Sequence, residues 1–434
     1  MKKFLKAFAA LTLTTSLIAC RSSDGGSGTN EPAEDDIVTI EYWQYVYESK
    51  VNIMDDLITE FEAENPNIRV VHKTFPYDDY EQKVAAAIAA SAHSDEAPNI
   101  INIFYGWVPK YVKSGVLCEL PESLVNDMEA NFTPMVQINK IEGKYYTIPV
   151  AVRTSALYYN KTLLDAKGIS VEDIPTDLIE WAELAGSLAE WNGDELLVAG
   201  TTWQPNGQYH SWLRPVLMNQ FGAQPISADG KTANYNSPEA LEAFKFFLSL
   251  TQDYKAGLKD FLTGDVAAFT AGKAYFHVDG SYRLSNLYNT ELDFEWGVTD
   301  LPSYNGRKGS FGSFWTNGIT ALTAEDPAKY EACVKFLEFI TSEEVMARWT
   351  KEVGEIGARK SFATNEEFLA DPNLAPFIRA LDYATSYFYV DETTDRQIIL
   401  DAIDQVIING MDPKQALDEA NTKVQALLDD YWSD

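Results

Sequence analysis

The sequence predicts an α/β fold built as two lobes, and three observations carry that prediction. From Ile37 onward, stretches of apolar alternation are followed by stretches of helical spacing, the order expected of a sheet with a substantial parallel component. A second succession of the same kind starts near Ala156. The chain has 434 residues, more than one hydrophobic core usually serves.

Taken in order, Val38, Ile40 and Tyr42 alternate with Thr39 and Glu41, which predicts a strand over Ile37 to Tyr45. Val51, Met54, Leu57, Ile58 and Phe61 then recur at helical spacing, and Pro66 follows the end of that helix. Ile68 and Val70 mark the next strand, Asp78 or Asp79 caps a helix through Ala92, and Asn99 to Phe104 form a short apolar run between Pro98 and Gly106. In the second region Ala156 to Asn160 is strand-like. A helix is expected from Thr176 to Trp191, with Trp181, Leu184, Leu188 and Trp191 along one buried stripe. Leu196 to Ala199 form another strand. Ser237, Pro238 and Glu239 supply an N-cap, a first-turn proline and an early acid, opening a helix that carries Leu241, Phe244, Phe247 and Leu248. Asp326 and Pro327 open a further helix with Cys333, Phe336, Leu337 and Ile340 inward, and Arg396 to Leu428 divide into two helices near Gly410 and Pro413. No repeat of 20 to 50 residues is present.

The ends and the composition bound the environment. Lys2, Lys3 and Lys6 precede an apolar run from Ala7 to Ala19 without an acid, the order of a secretory signal over residues 1–19. That run is shorter than the about 20 apolar residues a membrane span needs. Leu17-Ile18-Ala19-Cys20 resembles the lipobox of bacterial lipoproteins, which implies cleavage before Cys20, a diacylglycerol on its thiol and an exported, membrane-anchored protein. From Cys20 to Asp36 the chain is rich in Ser, Gly, Asp and Glu and reads as a flexible tether reaching roughly 20 to 24 Å. The formal net charge is −31, which opposes binding to nucleic acid and makes neutral or cationic ligands the easier partners. Cys118 and Cys333 are too few for a disulfide framework; each reads as a small apolar side chain, and a single bridge between them stays open.

Several segments in order resemble the family 1 extracellular solute-binding proteins that feed bacterial ABC importers. The opening strand through Trp43 is similar to the family's first strand. Ala97 to Gly115 (APNIINIFYGWVPKYVKSG) resembles its Pro-Asp-Ile-Ile and Ser-Gly pattern, with Asn99 in place of the aspartate. Lys144 to Lys161 (KYYTIPVAVRTSALYYNK) carries the Ile-Pro-Val and Leu-Tyr-Tyr-Asn-Lys elements, and the segment from Ala271 (AGKAYFHVDGSYRLSNL) resembles the Gly-Lys, strand and Gly-Ser-Trp turn, with Tyr282 at the Trp position. Gly309 to Ile319 and Gly357 to Ser361 resemble later segments. The resemblance implies two Rossmann-like lobes of the type II periplasmic-binding kind, joined by crossings near Val150–Thr154, Asp300–Gly312 and Arg359–Ala363. The N-terminal lobe would then comprise residues 37–150 with about 312–360, and the C-terminal lobe 155–310 with about 364–434. It further implies a monomer that encloses solute by hinge closure and presents it to ABC-transporter permease subunits, with no cofactor.

The aromatic residues speak about ligand class. A pyranose has an apolar face and a rim of hydroxyls, so its site needs flat rings and a few polar groups. Trp43, Tyr45, Tyr105, Trp107, Trp203, Trp212, Tyr282 and Trp315 fall in expected loops or element ends and are candidates to line a cleft. Arg153 stands where maltose-binding relatives carry an acid; its fork of donors suits ligand hydroxyls or a carboxylate, or else a salt bridge in the crossing. Glu48, Asp279 and Arg359 complete the polar candidates, and His210 in Gln208–Trp212 is either a donor to ligand or an ordinary core or surface histidine. No H-E-x-x-H, C-x-x-C, Walker or G-x-S-x-G pattern occurs. The tyrosine pairs Tyr145-Tyr146 and Tyr158-Tyr159 point to opposite strand faces and read as structural, not as metal ligands. The expectation is an oligosaccharide receptor; a polyamine receptor on the same fold and a secreted glycoside hydrolase are the alternatives.

Overall fold

Two sheets organise the chain in a computed structural model that describes residues 37–91 and 97–433. The expected signal, Cys20 and the tether lie outside the described residues. In the first sheet Val38–Tyr45 lies between Ile68–Phe75 and Ile100–Phe104, all parallel, and Trp315–Ile319 returns antiparallel beside Ile100–Phe104. Helix Glu48–Glu64 buries Ile53, Met54, Leu57 and Phe61, and helix Pro327–Ile340 brings Phe336 edge-on to Tyr42 and Phe61. Asn99 justifies its amide: Oδ1 accepts from Glu41 N at 2.8 Å while Nδ2 donates to Thr323 Oγ1 at 3.0 Å, which a carboxylate could not do at both ends.

The second sheet has the order Glu190–Asn192, Glu195–Thr201, Ala274–Gly280, Ser155–Asn160, Trp296–Thr299. Its centre, Ala274–Gly280, is buried along its whole length, with His277 and Asp279 paired inside it. Helices Leu178–Leu188 and Pro238–Gln252 belong to this half, the latter capped by Ser237 as expected. The helix expected to reach Trp191 stops at Leu188. Trp191 instead lies on a hairpin strand that turns through Gly193 at φ +64° and Asp194, half-buried, with Nε1 donating to the Lys255 carbonyl. The turn residues Asn192-Gly193-Asp194 outweigh the apolar stripe there. At the C-terminus two helices, Glu392–Ile407 and Pro413–Trp432, pack on each other. Both Cys118 and Cys333 are free thiols, so no bridge joins them.

The segments between the two sheets run side by side. Ala151–Val152 pairs antiparallel with Ile356–Gly357, and Arg153 exchanges two backbone hydrogen bonds with Ser313, at 2.8 and 3.0 Å. Ser310 Oγ clamps Ser155 by accepting from its N–H at 2.9 Å and donating to its carbonyl at 2.8 Å. Pairing of the last segment thus falls a few residues before the stretch Arg359–Ala363 expected from sequence.

Candidate functional site

A cavity of about 230 Å³ opens between the sheets at these crossings. Its position follows from topology, because Tyr45 and Phe104 end parallel strands and Trp315 starts the antiparallel strand directly opposite Phe104; ligands of open α/β sheets gather at such carboxyl ends. Tyr77, first residue of helix Tyr77–Ser91, adds a ring that is 49% exposed. Tyr45 and Trp315 lie 4.1 Å apart between ring centres, Trp107 meets Trp315 edge-on at 5.3 Å, and Tyr77 meets Tyr45 edge-on at 5.5 Å. From the other half come His210, Ser211, Tyr282 and Arg283, with Glu392 and Arg396 from the helix above; Arg153, Phe311 and Ser313 of the crossings form the back.

Three buried ionic groups support the wall. Glu355 accepts from Lys50 Nζ at 2.7 Å and from Trp349 Nε1 at 3.0 Å, and Arg153 Nε stands 3.7 Å away. Burial pushes the Lys50 ammonium down to about 8 despite Glu355. Asp279 is fully buried and accepts from Arg283 Nε at 2.7 Å, Tyr282 Oη at 2.6 Å and Gly280 N at 2.7 Å. Burial alone would raise this carboxyl, but Arg283 and His277 outweigh it and hold it well below the usual range. Arg214 donates to Asp395 at 2.6 Å and to Glu392 at 2.7 Å, and its Nη2 also lies 2.9 Å from His210 Nδ1. Burial first and Arg214 second push His210 well below its ordinary value. A donor on Nδ1 leaves the single imidazole proton on Nε2, so His210 is a neutral donor.

The two halves also touch beside the cavity. Tyr47 Oη donates to the Tyr282 carbonyl at 2.9 Å, Ser49 and Ser285 hydroxyls are 3.1 Å apart, Thr393 donates to Glu81 at 3.0 Å, and Lys110 pairs with Asp391 at 3.3 Å.

Of the residues proposed from sequence, Tyr45, Trp107, Arg153, Tyr282 and Trp315 share this cavity, and His210 joins them. The others do not line it. Trp43 sits two residues deeper on the strand, against Phe75, with Nε1 on Glu41. Glu48 is exposed at a helix start. Tyr105 stacks on Phe314 inside the core. Trp203 packs on Phe247 and donates to its carbonyl, and Trp212 wedges between Trp181 and Tyr209. Tyr105, Trp203 and Trp212 lie in short or irregular segments that are themselves packed inside, so their large apolar surface is buried there. Asp279 stands behind the wall, orienting Tyr282 and Arg283. Arg359 turns away to a bidentate pair with Asp127, at 3.0 and 2.6 Å. Tyr47, Tyr77, Arg283 and Arg396 were missed; the i, i+4 spacing of Asp279 and Arg283 was the available signal for one of them.

Tyr158 donates to the Gly280 carbonyl while Tyr159 is half-exposed, so that pair splits between faces. Among the described residues no His, Cys, Asp and Glu side chains are grouped as a metal site. A larger hollow of about 530 Å³ lies between Lys113, Tyr146, Phe388 and Trp432. It shares no residue with the crossings, so the smaller cavity is the candidate site.

Residues 56–376 match the family of bacterial extracellular solute-binding proteins. The chain is similar to a maltotriose-binding protein of Pyrococcus abyssi, 24% identical over 79% of this chain and 71% of that one. It is similar to a galactooligosaccharide-binding protein of Bacillus subtilis, 23% identical over 94% and 93% respectively. Among solved structures, an ABC substrate-binding protein of Listeria monocytogenes in complex with cycloalternan superposes with a TM-score of 0.78 at 21% identity, covering 91% of this chain and 99% of that one. This likeness shows the two-lobed α/β fold.

Proposed function

The chain belongs to the bacterial extracellular solute-binding proteins, and from that premise we propose that it captures a carbohydrate, an oligosaccharide, between its two lobes and delivers it to the permease of an ABC importer. The observation that carries this is the wall of rings, with Tyr45, Tyr77, Trp107 and Trp315 on one side and Tyr282 on the other, bordered by Arg153, His210 and Ser313. Flat apolar faces with a few oriented donors suit a pyranose. The enclosed volume of about 230 Å³ is below the ~300–1,000 Å³ of common ligand pockets, so an oligosaccharide requires the cleft to open, and the few polar contacts across it favour hinge motion. The sugar ligands named for the relatives support the same reading.

The lobe division 37–150 with 312–360 and 155–310 with 364–434, the monomeric state and anchoring through Cys20 belong to this proposal. A polyamine would need several free carboxylates; among the described residues the wall's one carboxylate, Glu392, is bonded to Arg214. The same single carboxylate argues against a glycosidase, which works with two.

Titrating α- and β-linked oligosaccharides against tryptophan emission and by calorimetry tests the reading. At least one should shift emission saturably, and chromatography after prolonged incubation should recover it intact. Shortened products, or no binding across the panel, would overturn it.

A further inference from the structure

Among the charged side chains that line the cavity and those bonded directly to them, the charges do not cancel. Arg283 is neutralised by Asp279. Glu392 and Asp395 balance Arg214 together with Arg396, whose Nη1 is 3.9 Å from Glu392. His210, buried beside Arg214 with Nδ1 2.9 Å from its Nη2, is neutral. That leaves Lys50, Arg153 and Glu355, two cations and one anion. Glu355 accepts from Lys50 on one oxygen at 2.7 Å and from Trp349 on the other, and Arg153 stands beyond hydrogen-bond distance at 3.7 Å. Its Nε and Nη2 are buried without a partner among the described residues, although its side chain, 11% exposed, lines the cavity. Trp107 Nε1, on the opposite wall, is a second buried donor in the same condition. Leaving such donors unsatisfied is costly, most of all for a charged one.

The unmet groups are donors, and one carries a full charge. A neutral hydroxyl would satisfy a donor without compensating the cation, whereas an anionic oxygen does both. The guanidinium is held ready to receive one, because its backbone is locked to Ser313 on both sides and it lies over the Tyr282 ring at 4.8 Å. In a chain of net charge −31, a lining with three arginines and one carboxylate is the opposite of what composition favours.

We propose that the solute is an acidic sugar, whose anionic group docks on the Arg153 guanidinium while its ring lies between Trp315 and Tyr282. This rests on the carbohydrate reading above and narrows it to a substrate class. The planar fork of Arg153 matches a uronate carboxylate; a phosphate ester offers the same anionic oxygens.

Calorimetry on the wild-type protein with three probe sets separates the cases: neutral malto- and galacto-oligosaccharides, uronate oligosaccharides of the same lengths, and sugar monophosphates. A uronate ligand should bind about 100-fold more tightly than its neutral counterpart, and Arg153→Gln should bring the two within about threefold, while Arg153→Lys keeps part of the preference. A sugar phosphate showing the same preference and the same loss identifies phosphate as the anion. Neutral sugars binding as tightly as acidic ones, or Arg153→Gln retaining the preference, would overturn the inference while leaving the carbohydrate reading intact. Absence of binding by every sugar would remove both. Should Arg153→Gln fail to fold, the wild-type comparison of acidic with neutral sugars decides alone.

Discussion

Replacing Arg214 by Met tests the buried network under the cavity. Arg214 is 2% exposed, and its two acid partners are 4% and 3% exposed. Methionine keeps much of the side-chain volume but abandons both carboxylates. Glu392 retains Arg396 at 3.9 Å, and Asp395 retains, as its side-chain partner among the described residues, the Tyr235 hydroxyl at 2.9 Å. Burial already raises the Asp395 carboxyl, with Arg214 the main opposing influence, so in the variant it takes up a proton to fold. Removing one partner of a buried ion pair costs about 3–5 kcal/mol. For a body of roughly 400 residues, an unfolding entropy of about 0.8 kcal/mol/K turns 4 kcal/mol into a fall in Tm of about 5 °C. The assay is thermal and urea unfolding of both proteins at pH 7.5 and 5.5. The folded variant holds a proton that the unfolded chain releases, so its deficit should shrink on acidification by up to about 1.4 kcal/mol per pH unit. Adding Asp395→Asn should recover part of the loss at pH 7.5. A deficit below about 1 kcal/mol, or one equal at both pH values, would refute the reasoning.

Other expectations rest on single features. Tyr77→Ala removes an exposed ring and should weaken sugar binding by about 0.5–1.5 kcal/mol in calorimetry with Tm unchanged; unaltered affinity would place the ligand elsewhere in the cleft. His210 is neutral when folded and takes a proton near pH 6.5 when unfolded, so its contribution is present above pH 6.5 and is lost as pH falls below it. His210→Gln should flatten the stability-versus-pH curve below 6.5 by up to one proton, read from denaturation midpoints, and an identical slope would contradict the assignment. A Cβ at Gly200 would overlap the Ala185 carbonyl where helix and strand touch, so Gly200→Ala should cost at least about 1–3 kcal/mol in urea unfolding.

The regular elements were legible because their signals are local. Ser237-Pro238 and Asp326-Pro327 start helices where expected, with their side chains accepting from the first-turn N–H groups. Trp191 was misplaced because a helical stripe continued through a turn that Gly193 makes at positive φ. The site was legible only where residues end strands, as at Tyr45, or stand in the segments that carried the resemblance, as at Arg153 and Tyr282. Trp203 and Trp212 look the same in sequence as Trp107 and Trp315. Which loop folds back under the sheet is decided by contacts from distant parts of the chain, such as Phe247 and Trp181. Tyr77 and Arg396 escaped notice because helix starts look like surface, and only docking of the two halves brings them to one opening.

The lateral hydrogen bonds among the crossings bear on how the molecule moves. Arg153 grips Ser313, Ala151–Val152 grips Ile356–Gly357, and Ser310 clamps Ser155. A ribbon cross-linked in this way resists twisting and sliding of its members, since either would break several bonds at once, but bending leaves each bond intact. In the proposed hinge closure the opposed walls would then approach along nearly one degree of freedom. Tyr45 and Trp315 would then meet Tyr282 in the same alignment at every closure, so the fitting of ligand to wall would not have to be searched for again.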